Sequence, residues 1–248
     1  MNVQGLERLE LMRKRLDADG RVLVTELATE LDVSEMTIRR DLEMLVDEGI
    51  AQRVRGGAIS VGPQQFAARF RQNARAKARI AEKLLGLVGT GGAIGIDASS
   101  TLQRLAARLG EARDVTVLTN GPDTFRALQD HSGVTALLTG GELDPRTGSL
   151  VGPLATRPAR DLLLRRLFVS AAAVDPEVGA SEATLEEAEV KIALAGSASE
   201  VVLAVDASKL GHRAPAHGFT WDRVDVLVTE LTPSDARLDP YRDRVELV

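Results

Sequence analysis

Apolar residues recur along this chain with a helical period in its first sixty residues and with alternating helical and strand periods after that. Leu6, Leu9, Met12 and Leu16 predict a first helix, ended by Asp19-Gly20. Val22 to Val24 reads as a short strand. Thr25 reads as the N-cap of a short second helix, Glu26 to Leu31, with Glu26 well placed in its first turn. Asp32-Val33 forms a turn. Ser34 reads as the N-cap of a third helix, Glu35 to about Glu48, with Ile38, Leu42, Leu45 and Val46 as its buried stripe and Gly49 as its stop. Alternating positions from Ile50 to Ile59, around Gly56-Gly57, predict a β-hairpin.

From residue 74 the pattern changes. Helical stretches (80–88, 102–109, 123–128, 154–164, 183–198) alternate with short apolar strands (93–96, 115–119, 134–139, 167–173, 201–205, 226–229). Such alternation predicts an α/β domain with a mostly parallel sheet covered on both faces. Between the two patterns lies a stretch rich in Gly, Pro and Gln. The expected division is therefore 1–60, a linker over 61–73, and 74–248.

Two helices joined by a short turn form a helix-turn-helix, whose second helix enters the major groove by its N-terminal residues. Here those residues are Glu35, Met36, Thr37, Arg39 and Arg40, with Glu43, Asp47 and Glu48 toward the other end. Arg53 and Arg55 would lie on one face of the hairpin, as a wing against the DNA backbone. The alternative is a three-helix bundle for protein contacts, with these arginines on a solvated face.

Charge adds no support by itself. The net charge is −5, and residues 1–60 carry 9 Lys or Arg against 12 Asp or Glu. DNA binding must therefore rest on where the charges lie. The absence of aromatics before Phe66 disfavours single-stranded RNA, which needs stacking platforms. Arg69 to Lys83 holds six basic residues and one acid, read as a solvated helix face or as extra phosphate contacts. The lack of cysteine excludes disulfides and thiolate metal sites. His131, His212 and His217 show no metal spacing. No apolar run suggests a membrane span, and the N-terminus lacks an apolar signal core, so a cytoplasmic protein without membrane contact is expected. No metal or other cofactor is expected.

Ligands of parallel α/β sheets bind beyond the carboxyl ends of the strands. Polar or glycine clusters follow the predicted strands: Asp97-Ala98-Ser99-Ser100-Thr101, Asn120-Gly121, Gly140-Gly141, Asp175, and Asp206-Ala207-Ser208-Lys209. Together they read as a polar rim able to hold an anion. Each has a plainer reading: a helix cap for 97–101, a turn for Gly140-Gly141, a surface lysine for Lys209. Gly89-Thr90-Gly91-Gly92 matches neither a dinucleotide fingerprint nor a nucleotide P-loop and reads as a turn.

Thr37-Ile38-Arg39-Arg40-Asp41-Leu42, Glu48-Gly49 and Arg53-Val54-Arg55-Gly56-Gly57-Ala58 resemble the signature of the DeoR family of bacterial repressors. The resemblance continues, in order, through Asp97–Thr101, Thr119-Asn120, Gly140-Gly141-Glu142-Leu143, Val151-Gly152-Pro153, Glu189-Val190-Lys191 and Val205–Lys209. It implies a winged helix-turn-helix with Thr37, Arg39 and Arg40 as DNA contacts. Asp41 reads as structural, because on the helix it can orient one of the arginines and facing phosphate it would be repelled. It also implies a three-layer α/β sensor domain similar to ribose-phosphate isomerase, whose ligand is a sugar phosphate or close relative. Family members usually carry glycines before the equivalent of Asp175, where this chain has Ala171-Ala172-Ala173. The added methyl groups would narrow the pocket there.

The expectation is a transcriptional repressor of a carbohydrate operon, not an enzyme, that binds a double-stranded operator as a homo-oligomer and is released by a phosphorylated sugar. The expected DNA contacts are Thr37, Arg39, Arg40, Arg53 and Arg55. The expected effector contacts are Asp97, Ser99, Ser100, Thr101, Asn120, Gly140, Gly141, Asp175 and Lys209. The alternative is a sugar-phosphate isomerase with a regulatory N-terminal domain, for which Asp175 and Glu189 are the candidate bases.

Overall fold

The computed structural model describes residues 3–48, 50–60 and 66–248. The chain divides into two compact units, Met1–Gln72 and Asn73–Val248.

The first unit contains α1 (Val3–Asp19), β1 (Arg21–Leu23), α2 (Val24–Glu30), α3 (Glu35–Asp47), β2 (Ala51–Val54), β3 (Gly57–Ser60) and α4 (Phe66–Arg71). Leu9, Met12 and Leu16 of α1 pack with Leu27 of α2 and with Ile38, Leu42 and Leu45 of α3 in one core. The three strands form an antiparallel sheet in the order β1-β3-β2.

Four local expectations shift. The strand stops at Leu23, and Leu23 rather than Thr25 stands at the N-cap of α2. The Val24 N–H donates to Gly56 O at 2.9 Å, so β1 runs straight into the helix with its first amide already satisfied. The hairpin turns at Arg55-Gly56, with Gly56 at φ +85°, and Gly57 is inside β3 opposite Val54. A Cβ on Gly57 would lie 2.0 Å from Val22 O, so glycine is required there by the neighbouring strand. The expected linker holds a helix, α4; Arg71 at its end and Gln72 just after it donate to the carbonyls of Ala18 and Asp19. Residues 61–65 and the expected stop at Gly49 lie outside the described residues.

The second unit begins with α5 (Ala74–Val88), β4 (Ala93–Ile96), α6 (Ser100–Ala106), β5 (Val115–Thr119), α7 (Pro122–Leu128) and β6 (Val134–Leu138). Next come β7 (Glu142–Asp144), β8 (Ser149–Val151), α8 (Pro153–Thr156), α9 (Pro158–Asp161), β9 (Arg166–Val169), β10 (Ala173–Asp175) and β11 (Gly179–Glu182). The chain ends with α10 (Leu185–Gly196), β12 (Val201–Ala204), β13 (Ala216–His217), β14 (Val226–Val228) and β15 (Glu246–Leu247).

Seven strands form one sheet in the order β15-β14-β12-β9-β4-β5-β6, with every pairing parallel. Successive strand residues face opposite layers. Phe168, Val202 and Ile94 pack with α5, α6 and α7, whereas Leu167, Val169 and Leu203 pack with α8 and α10. The result is the expected three-layer sandwich.

The departures have local causes. The single helix expected over 154–164 is two short ones, because Pro158 lacks an N–H and cannot continue α8. The strand expected over 167–173 leaves the main sheet after Val169. β10 then joins a separate antiparallel sheet in the order β10-β11-β13. The hairpin of β7 and β8 was not expected.

Candidate functional site

Ser34 caps α3 by accepting from the Thr37 N–H at 3.2 Å, and its hydroxyl lies 2.9 Å from that of Thr37. The cap fixes the first turn of α3. Burial of Ile38, Leu42 and Leu45 then fixes the face that turns outward. That outward face carries Met36 (74% exposed), Arg39 and Arg40. Arg39 is held by Glu35 at 3.0 Å, and Arg53 on β2 is held by Glu43 at 2.8 Å. Arg40 and Arg55 are exposed and, among the described residues, have no ion-pair partner. Arg39, Arg53 and Gly56 border a small crevice of about 40 Å³ beside the wing. Arg53 and Arg55 do not share a strand face, since Arg55 lies in the turn.

Asp41 is buried and accepts from Arg8 Nε at 2.5 Å. It therefore clamps α3 to α1 and orients an arginine of α1, not one of those on the outward face. Nothing in the residue pattern pointed to Arg8, because its partner is 33 positions away.

In the second unit the parallel sheet sets the predicted clusters side by side. Moving across the sheet, 206–209 follows β12, 170–172 follows β9, 97–101 follows β4, 120–121 follows β5 and 139–141 follows β6. Asp97 is fully buried. Its Oδ1 accepts from the Ser99 N–H and its Oδ2 from the Ser170 N–H, both at 2.8 Å. Asn120 accepts from the Ala98 N–H at 3.1 Å and donates to Leu150 O at 3.2 Å, which braces three loops. Ser99 caps α6, accepting from the Leu102 N–H at 3.2 Å. Ser100 and Thr101 are buried in the first turn of α6. Gly140 has φ +84° and open space where a Cβ would stand, whereas a Cβ on Gly141 would come within 2.5 Å of Val151 O. Lys209 is half-buried at the far side of the rim.

Asp175 does not follow a strand of the main sheet. It ends β10, where its carboxylate accepts from Arg213 and from the N–H groups of Glu177 and Val178. The Arg213 guanidinium and these N–H donors hold its pKa down at about 2. Of the alanines expected to narrow the pocket, Ala171 and Ala173 are buried and Ala172 is half-buried. Glu189 lies exposed on the outer face of α10.

Four side chains at this rim were missed. Lys191 of α10 is buried and donates to Glu182 Oε1 at 2.8 Å and Ser170 O at 2.9 Å, with Asp97 Oδ2 at 3.4 Å. Burial works against its charge, but Glu182, Asp97 and Glu187 outweigh that and raise its pKa. Glu182 shares that one ammonium with other carboxylates. Burial, more than the partly compensating Lys191, pushes its pKa up to about 7. Lys77 of α5 is also buried and donates to Ser100 Oγ at 3.1 Å, so the solvated-face reading of 69–83 fails at this residue. Its signal was available: Lys77 stands on the apolar side of α5 with Ile80, Ala81 and Leu84. Asn73, at φ +52° ahead of α5, donates to Asp206 Oδ1 at 2.8 Å and Ser208 Oγ at 3.1 Å. Among the described residues no cluster of His, Asp or Glu is arranged to hold a metal, and no helix is long and apolar enough to cross a membrane.

Comparison with known proteins follows the same division. The DeoR-like helix-turn-helix domain matches residues 8–64, and the DeoR C terminal sensor domain matches residues 72–231. The HTH-type transcriptional regulator GolR of Listeria innocua is 31% identical, over 96% of this chain and 95% of its own length. The lactose phosphotransferase system repressor of Lactococcus lactis is 30% identical, over 94% of each chain. Among solved structures, ribose 5-phosphate isomerase A of Methanocaldococcus jannaschii aligns over 56% of this chain and 55% of its own, at 16% identity and a TM-score of 0.42. A reading helix ahead of a parallel-sheet sensor unit, with both domain matches and relatives spanning nearly its whole length, places this chain in the DeoR family of transcriptional regulators.

Proposed function

We propose that this regulator represses a carbohydrate operon by holding its operator as a homo-oligomer assembled through the sensor unit, and that a phosphorylated sugar at the strand-end rim releases it. The observation that carries the DNA half is α3, capped by Ser34 and buried along one side, with Arg40 exposed on its outward face and, among the described residues, no carboxylate holding it. Such an arginine can donate two hydrogen bonds to a guanine edge. Thr37 and Arg39 flank it, while Arg53, Arg55 and the crevice beside the wing suit backbone phosphate.

For the effector half, the support is the row of loops at 97–101, 120–121, 140–141 and 206–209 along one end of the parallel sheet. Lys77 and Lys209 bring cationic chemistry to it. Asp97, Ser99 and Asn120 shape the loops through the bonds they make with backbone groups; Ser100, Thr101, Gly140 and Lys209 are the better candidates for direct contact. Asp175 is committed to Arg213 and its own turn, and Glu189 faces outward, so neither serves as a base and the isomerase reading gains no support. The decisive experiment is a DNA-shift titration on the promoter region beside the gene, repeated with a panel of phosphorylated sugars. A shift that one sugar phosphate reverses is the expected result. No salt-dependent binding to that region would overturn the DNA half, and binding indifferent to every sugar phosphate would overturn the effector half.

A further inference from the structure

The main sheet ends at β6, which pairs with β5 on one side and, among the described residues, with no strand on the other. An open strand edge presents unpaired N–H and C=O groups and is a template for another strand. The edge is not blunted by charge: Val134, Thr135, Ala136, Leu137 and Leu138 carry none, and Leu138 is 39% exposed.

Directly after β6 the chain enters a groove of about 370 Å³, walled by Gly140, Leu154, Pro158 and Leu162 and bordered by Arg157 and Asp161. Leu154 is 62% exposed, and nearby Leu163 is 89% exposed although Leu164 beside it is buried. Large apolar side chains left in water on one side of a unit mark an interaction surface. The charges point to the occupant. Arg157 and Asp161 stand four residues apart, a spacing at which side chains can meet, yet they form no ion pair with each other. Both are exposed, and among the described residues neither has another ion-pair partner.

A surface carrying an unpaired cation, an unpaired anion, an open strand edge and exposed leucines has the elements a two-fold contact between identical copies requires. We propose that β6 and the adjoining groove are the self-association surface of the sensor unit, occupied by a second copy of this chain. In that arrangement the two β6 edges run antiparallel beside each other, the leucines cover one another, and Arg157 of each copy meets Asp161 of its partner. The proposal rests on the oligomeric reading above and assigns it a place.

The test is sedimentation equilibrium of the full chain, with circular dichroism melting to confirm that each variant is folded. Leu154→Glu and Leu163→Glu should each raise the self-association constant Kd by about tenfold or more. Leu85→Glu, on α5 across the sheet, should leave it unchanged. Arg157→Glu and Asp161→Arg should each weaken assembly, and the double variant should restore it. A monomeric parent chain would overturn the oligomeric reading itself. An assembled parent whose groove variants assemble equally well would overturn this surface alone. Failure of the double exchange to restore assembly would overturn the two-fold pairing. Groove variants that keep assembly but lose the response to sugar phosphate would make the groove a ligand site and overturn the proposal.

Discussion

Arg40 differs from its neighbours in what it must give up on meeting DNA. In the proposed complex Arg39 and Arg53 would each exchange a carboxylate for a phosphate or a base, so part of their gain would offset a lost pair. Among the described residues Arg40 has no such pair. Arg40→Ala should cost about 1–3 kcal/mol in operator affinity with unchanged melting, read by fluorescence anisotropy. The Lys191 site behaves differently, because its groups are buried. Lys191→Met leaves the carboxylates of Asp97 and Glu182 without their shared cation and should destabilise the sensor unit by about 3–5 kcal/mol. Glu182 supplies a pH signature. It holds its proton more tightly in the folded chain (about 7) than at its ordinary value of 4.5, so the native state binds more protons between those values. Stability should therefore fall as pH rises through that interval. In Glu182→Gln this part of the fall should vanish, as urea midpoints at pH values on either side would show.

At the scale of elements, the wing depends on one close approach. Gly57→Ala would drive a methyl group into Val22 O and should weaken the β1–β3 pairing by about 1–3 kcal/mol, seen as faster amide exchange in β1 and β3 and weaker DNA binding. What was legible in the sequence follows the same logic. α3 was readable because a capping serine, a 3.6-residue stripe and its sorted charges all agree on one answer. The division at Pro158 was readable in principle, since proline breaks a helix by local chemistry. The departure of β10 from the main sheet was not. Ser170 to Val174 is a continuous run of small and apolar residues, and nothing local says which sheet it joins. The buried lysines were hidden in opposite ways. Lys191 sits in Leu185-Glu186-Glu187-Ala188-Glu189-Val190-Lys191, where neighbouring charges disguise it as part of a wet face. Lys77 stood in plain sight on an apolar stripe and was lost in a basic run.

The whole molecule is acidic, yet the distribution of charge favours a duplex at one place. Glu43 and Glu48 are partnered by Arg53 and Arg13, so the acids of α3 are partly neutralised within the unit. Arg40 and Arg55 have, among the described residues, no ion-pair partner. Operator binding should accordingly fall steeply with salt, the logarithmic slope being about −0.9 per phosphate neutralised. Arg55→Ala should lower that slope by about one, measured by titration at several salt concentrations, while leaving sequence preference intact. The position of Asn73 matters at the same scale. It is the first residue of the sensor unit, and its amide is tethered to Asp206 and Ser208, in a loop assigned to the effector rim. Any guest that takes the Asp206 carboxylate as its acceptor competes with the mooring of the very residue from which the chain runs back toward the reading head. Thermodynamic reciprocity then requires that an operator favouring the moored form repel that guest by the same factor with which the guest repels the operator.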